Sequence, residues 1–171
     1  ARLHFEGAAR HYAEERGQQY SFQVQQRIVL DMLAGTGERV LDAGCGSGLM
    51  VIELLRQGRE VWGIDVSREM LRYAAAALGD HDSRHRAHLE VGDIERLAFP
   101  DHHFDAIVSL GVFEYLPDYR PAIMEIARTL KVGGIAVLSV PSRLSAHSLT
   151  RRVLHPLYRL VRLRLGRPAP G

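Results

Sequence analysis

Three aspartates and a run of alternate glycines are the residues best placed to do chemistry in this sequence. In VLDAGCGSG, residues 40–48, Asp42 precedes Gly44, Gly46 and Gly48, directly after an apolar run that reads as a buried strand. Missing Cβ atoms let the backbone bend sharply there and let a ligand lie against the main chain. Asp65 closes a second β-branched run, VWGIDVS, and Asp93 follows a third, in VGDIERLAFPDHHFD. A carboxylate at the tip of the second strand can accept hydrogen bonds from both hydroxyls of a ribose. One after the third strand can accept from an exocyclic amine such as that of adenine. The glycine spacing separates this turn from a pyrophosphate-binding G-x-G-x-x-G, because Leu49 stands three positions after Gly46. Together the three positions suit an adenosine that carries no phosphates.

These residues require a particular scaffold. Short apolar runs at 39–43, 60–64, 88–91, 104–110 and 134–140 alternate with helical patterns at 49–56, 68–78 and 119–130. Such alternation needs crossover connections, so the expected fold is α/β: a doubly wound, mostly parallel sheet with helices on both faces. In such a sheet ligands bind beyond the carboxyl ends of the strands, where strand order reverses. Ser67 and Asp118 are placed to cap the second and third of these helices, and Gly58, Gly79 and Gly133 fall where helices should stop. Two further helices, at 3–15 and 22–33, read as an N-terminal cap over 1–37, ahead of a cofactor-binding core at 38–141.

At 171 residues, 46% hydrophobic and 25% charged, the chain fits one globular domain. It has no apolar run of spanning length and no secretory leader pattern, and the expectation is a cytoplasmic protein. Cys45 is its single cysteine, which excludes an internal disulfide and a multi-thiolate metal site. Nine basic residues and no acidic one follow Glu125, so the first 125 residues carry a net charge of −7 against a total of +2. That division argues against a uniformly basic nucleic-acid binder.

The motifs resemble those of class I S-adenosylmethionine-dependent methyltransferases acting on small molecules. VLDAGCGSG is similar to the family's first motif, VWGIDVS to its ribose-binding motif, and GDIERLAFPDHHFDAIVS to its adenine-side segment and fourth strand. GVFEYLPDYRPAIMEIARTLKVGGIAVLSVPS resembles the loop, helix and fifth strand that follow, and FEGAARHY the F-[DE]-x-x-A-x-x-Y helix at the start. The resemblance implies S-adenosyl-L-methionine as cofactor and S-adenosyl-L-homocysteine as product. It implies that Gly44 and Gly46, with Cys45 between them, face the methionine moiety, that Asp42 organises the turn, and that Asp65, beside Val66, holds the ribose. Asp93 would meet the adenine amine beside the Ile94 amide. The Leu110 carbonyl would approach the methionine amino group, and Tyr12 would close over its carboxylate. Glu114, where the family often has histidine, is the candidate base or orienting group, with Tyr115 beside it. A sulfonium methyl is already activated, so the protein's chief task is to align the acceptor and exclude water.

Several features have blander readings. Cys45 in a glycine turn is compatible with the bend and is not read as a nucleophile. His81, His85 and His88, with Asp80 and Asp82, read as a solvated loop rather than a metal site, and His102 and His103 as surface residues. The segment 142–171 reads as a basic amphipathic helix from Leu149 to Arg162, a packing element, a lid, or a surface meeting anionic membrane. No strands are visible after Pro141, so the sheet's C-terminal strands are expected to be missing and its edge open. The expected partner is a small-molecule methyl acceptor, with no nucleic acid and the oligomeric state open. A nicotinamide-dependent oxidoreductase and a non-catalytic cofactor-binding module are the rival classes.

Overall fold

The structure is a computed structural model that describes residues 20–79, 82–141 and 158–164, without the side chains at 20, 21, 82, 83, 141 and 158–164. Tyr12, the expected helix at 3–15, His81 and Asp80 lie outside the described residues. So do residues 142–157.

Helix α1 spans Tyr20–Met32. Strand β1 (Arg39–Ala43) leads to α2 (Leu49–Arg56), β2 (Glu60–Asp65), α3 (Arg68–Leu78) and, after a 3-10 turn at Asp82–Arg86, β3 (Ala87–Val91). The chain then reaches β4 (Phe104–Ser109) without an intervening helix, makes a 3-10 turn at Phe113–Tyr115, and continues through α4 (Arg120–Thr129), β5 (Leu130–Pro141) and β6 (Tyr158–Arg164). The sheet order is β3-β2-β1-β4-β5-β6. All pairings are parallel except β5 with β6. Strand order therefore reverses between β1 and β4, at the glycine turn.

Period-two alternation along the central strands sends side chains to two cores. Val40, Val61, Ala106, Val108 and Val137 pack with α1, α2 and α3. Leu41, Ile64, Ile107, Ala136 and Leu138 pack with Ala122 and Ile126 of α4 and with Ile94 and Leu97. Val29 of α1 and Leu33, just after its last turn, are completely buried in the first of these cores. Residues 22, 26, 29 and 33 share one helical face, and Val29 and Leu33 join the sheet's first core through it.

Ser67 caps α3 as expected, its Oγ accepting from the Met70 amide at 3.3 Å. Asp118 accepts from the Arg120 amide at 3.1 Å, at the start of α4. Gly133 does not end a helix. The helix stops at Thr129, and Leu130 already pairs with Phe104. The next pairing joins Ala106 to Ile135, so residues 131–134 bulge opposite Asp105. A Cβ on Gly134 would stand 2.9 Å from the Asp105 carbonyl oxygen, which accounts for the glycine there.

The C-terminal expectation is corrected. The second half of the expected amphipathic helix is strand β6, antiparallel to β5 in register from Ile135↔Arg164 to Pro141↔Tyr158. Seven residues, YRLVRLR, fit either period, and Pro156 already bars a continuous helix. The open edge of β5 offers unpaired amides and carbonyls, and pairing with them decides the conformation. A strand thus follows Pro141 where none was expected.

Packing is close under the glycine turn. A Cβ on Gly63 of β2 would meet Leu89 Cδ2 at 2.7 Å and Cys45 Sγ and Val51 Cγ2 at 3.1 Å each. Overpacking of this kind costs about 1–3 kcal/mol. The entropic gain of Gly→Ala in the unfolded chain returns about 0.4–1 kcal/mol. Gly63→Ala is therefore expected to lower unfolding free energy in urea titrations by roughly 1–2 kcal/mol; unchanged stability would show that this layer has slack.

Candidate functional site

The carboxyl ends of β1, β2, β3 and β4 meet around a crevice of about 310 Å³, lined by Gly44, Gly46, Asp65, Val66, Asp93, Ile94 and Leu110, and on its far side by Val112, Tyr115, Leu116 and Pro117. Seven of the residues singled out in the sequence are thus brought to one wall. A smaller recess of about 50 Å³ continues past the turn, lined by Asp42, Cys45, Ser47, Met50 and Leu110, and by Phe22 of α1. Glu114 is half-buried and is not part of the crevice wall, whereas its neighbour Tyr115, 40% exposed, is.

Local chain chemistry explains the turn. The Gly44 and Cys45 amides both donate to the Ile64 carbonyl, at 2.8 and 2.9 Å, and so continue the β1–β2 pairing past the last strand residue. Gly44 then takes φ 83, and a Cβ there would overlap Val112 Cγ2. The third glycine has a different task. A Cβ on Gly48 would sit 2.8 Å from Ala74 Cβ, so Gly48 allows α2 and α3 to approach and does not face the crevice.

Asp65 joins the two strand tips. Its Oδ2 accepts from the Gly46 amide and its Oδ1 from the Ser67 amide, each at 2.9 Å. Each oxygen keeps a further lone pair on the crevice side for a hydroxyl donor. Burial raises its pKa above the ordinary carboxylate range, and the two amides pull it back in part. Asp93 is exposed; its Oδ1 accepts from the Glu95 amide at 2.9 Å, and its carbonyl from the Arg96 amide at 3.0 Å. Ile94, beside it, is buried. At the end of β4, Ser109 Oγ donates to the Ala43 carbonyl at 2.8 Å, and the Gly111 amide donates to Ser139 Oγ at 2.6 Å. These bonds fix the turn that carries Leu110.

Asp42 is the electrostatic outlier. It is 2% exposed, and its Oδ2 has no hydrogen-bond partner among the described residues. Burial, with the nearby Asp65 charge, pushes its pKa up to about 7. A buried acid so placed is stabilised by a proton or by another cation in the recess it lines, and an ammonium or sulfonium group meets that need. Cys45 is buried, and burial together with the charges of Asp42 and Asp65 pushes its thiol well above the ordinary range. This environment opposes thiolate formation.

Among the described residues no cluster of ligating side chains could hold an ion. His88 lies in β3 rather than a loop, 3.2 Å from Glu60 Oε1 and stacked on Trp62. His103 is half-buried and packs edge-on against Phe104, while His102 is exposed. Sequence reasoning missed Phe22 and Gln26, whose Nε2 donates to the Leu49 carbonyl at 3.1 Å. The helical face shared by 22, 26, 29 and 33 was the available signal.

The raised pKa of Asp42 has a consequence for ligand-free protein. Between an unfolded value near 3.8 and a folded value of about 7, the native state holds a proton that the unfolded chain releases, so stability falls across that window as pH rises and levels off above it. Asp42→Asn removes this loss. Urea unfolding should find the variant more stable than wild type at pH 8, by up to about 4 kcal/mol, with the difference shrinking towards pH 4. A difference independent of pH would contradict the assignment.

Comparison with known proteins agrees with this geometry. Residues 41–138 match the family model described as "Methyltransferase domain". The ubiquinone biosynthesis O-methyltransferase of Alkalilimnicola ehrlichii is 36% identical over 114 residues, 63% of this chain and 43% of that protein. Among solved structures, an S-adenosylmethionine-dependent methyltransferase from Mesorhizobium loti superposes with TM-score 0.61 and 27% identity, covering 74% of this chain and 56% of that one. The cyclase SpnF superposes with TM-score 0.63 and 29% identity, over 72% and 47%. The chain spans about half the length of the curated relatives it matches. With its glycine turn, acid-tipped β2, β4 and most of β5 inside the matched span, this chain belongs to the methyltransferase-domain family of class I, S-adenosylmethionine-dependent proteins.

Proposed function

We propose that this chain is the cofactor-binding part of an enzyme that methylates a hydroxyl of a small lipophilic acceptor. The observation that carries the reading is the joining, in one crevice, of the Asp65-braced glycine turn, the Asp93–Ile94 corner and an apolar wall of Val112, Leu116 and Pro117. The wall supports an apolar acceptor, and the O-methyltransferase relatives support oxygen as the attacking atom.

The residues divide the work. Asp65 would hold the two ribose hydroxyls, Asp93 the adenine amine, and the Ile94 amide the ring nitrogen next to it. The Leu110 carbonyl and the Asp42 carboxylate would hold the methionine ammonium, with Gly44 and Gly46 admitting the chain against the backbone. When bound, S-adenosylmethionine supplies a methyl group activated by its cationic sulfur. Tyr115 and Leu116 would orient the acceptor and exclude bulk water from the S–CH3 bond, and the hydroxyl proton would pass to solvent at the crevice mouth as the ether bond forms and the S–CH3 bond breaks.

Because the fold is shared with the cyclase SpnF, the deciding measurement is methyl transfer and not binding alone. Purified protein with tritiated S-adenosylmethionine and a polyprenyl catechol is expected to yield a labelled ether, and calorimetry is expected to show S-adenosylhomocysteine binding but no NAD binding. Cofactor binding with no label in any hydroxylated acceptor would remove the methyltransfer reading. Asp65→Ala is expected to weaken S-adenosylhomocysteine binding by about 100-fold, from loss of two bonds to a charged acceptor. Tyr115→Ala should raise the acceptor KM by about tenfold and leave cofactor affinity within about twofold; a cofactor effect as large as the acceptor effect would contradict the division.

A further inference from the structure

We propose that the Arg128–Glu125 pair of α4 is a positioning device that sets the preference for adenine over other bases, by fixing the loop in which Asp93 and Ile94 sit. The proposal rests on the assignment of those two residues to the base.

The chain from β3 to β4, residues 92–103, crosses the sheet without a helix, so its backbone polar groups need partners from elsewhere. Arg128 supplies them. Its Nη2 donates to the Leu97 carbonyl at 2.9 Å, and its Nη1 to the Phe99 carbonyl and to Asp101 Oδ1, each at 2.8 Å. The guanidinium is itself held by Glu125 through Nε to Oε1 and Nη2 to Oε2, each at 2.8 Å. Glu125 Oε2 also accepts the Leu97 amide at 2.7 Å. Both polar backbone atoms of Leu97 are therefore bound to one ion pair, and Leu97 directly follows the tight turn that runs from Asp93 to Arg96.

The geometry transmits to the base corner over a short distance. Ile94 and Leu97 are buried in the same cluster as Ala122 and Ile126 of α4, so the corner, its turn and the helix form one packed unit. Asp93 is exposed and its side chain is steadied only locally, by the Glu95 amide. On its β3 side the corner is tied to β2 through the Gly92 amide, which donates to the Asp65 carbonyl at 3.2 Å; on its other side what fixes it is the hold of the ion pair on Leu97. Planar, forked recognition of two carbonyls and two carboxylates is a task for arginine; a lysine ammonium has three donors and no fork.

The test compares S-adenosylhomocysteine with S-inosylhomocysteine. The latter replaces the adenine amine by an oxo group and protonates the neighbouring ring nitrogen, so both the bond to Asp93 and that from Ile94 are reversed. Calorimetric Kd values for wild type should favour the adenine ligand by about tenfold or more. Arg128→Met is expected to reduce the preference to below about threefold, and Arg128→Lys and Glu125→Gln to intermediate ratios. Thermal melts run in parallel separate this from general weakening. Arg59 serves as the comparison, because it too binds main-chain oxygens, those of Leu33, Thr36 and Gly37, but at the amino end of β1. Arg59→Met should lower Tm and keep the wild-type ratio. If Arg128→Met fails to fold, Arg128→Lys and Glu125→Gln carry the test. Variants of the pair that retain the full preference, or an Arg59→Met that loses it equally, would overturn the proposal. A wild type with no preference, unchanged by Asp93→Asn, would remove the assignment of Asp93 and the proposal with it.

Discussion

Asp65 accepts one amide from the turn after β1 and one from the turn after its own strand, so a single carboxylate fastens two neighbouring strand tips. The crevice exists because this fastening holds. Without it the path of the glycine turn would rest on backbone bonds alone, the two amides on the Ile64 carbonyl and the Gly48 amide on the Cys45 carbonyl, with the Cys45 side chain buried within it. The bonds also orient the carboxylate, leaving its free lone pairs towards the cavity. One side chain therefore shapes the site and presents the group that would read the ribose.

The same economy creates an electrostatic cost. Asp42 is buried close to Asp65, with one oxygen unpartnered among the described residues. Burying an unpaired acid is unfavourable, and a second acid nearby makes it more so. The cost is tolerable where the functional ligand is a cation, since the ligand then removes it. The recess beside Phe22 accordingly favours cationic occupants over neutral and anionic ones.

The legible parts of the sequence were those governed by local chemistry. Residues 39–43, 49–56 and 68–78 form the elements expected at those positions, because each is bounded by a turn glycine or a cap such as Ser67 and carries a clean hydrophobic period. The site residues on strand tips were legible for the same reason: Gly44, Gly46, Asp65 and Asp93 follow recognisable strands. Where the deciding contact is distant in sequence, local signals misled. Paired glycines at 133 and 134 signal a helix end, but the constraint is the Asp105 backbone across a bulge. Residues 158–164 fit a helical wheel, yet the edge of β5 makes them a strand. Glu114 was singled out from its place in a motif, while the neighbouring Tyr115 reaches the crevice wall.

Arg128 shows the limit most clearly. In the sequence it is one basic residue in a long basic stretch, with nothing to mark it. Its role follows from an absence elsewhere, since the β3-to-β4 connection contains no helix and a helix is what normally satisfies the backbone of such a crossover. A chain that dispenses with the helix has to satisfy those carbonyls with side chains from a neighbouring element. The nearest rigid one is α4, which directly follows the loop bearing Tyr115 and Leu116. Replacing a helix by a guanidinium thus links the Asp93–Ile94 corner to the element beside the Tyr115–Leu116 wall, so the two halves of the crevice share one support.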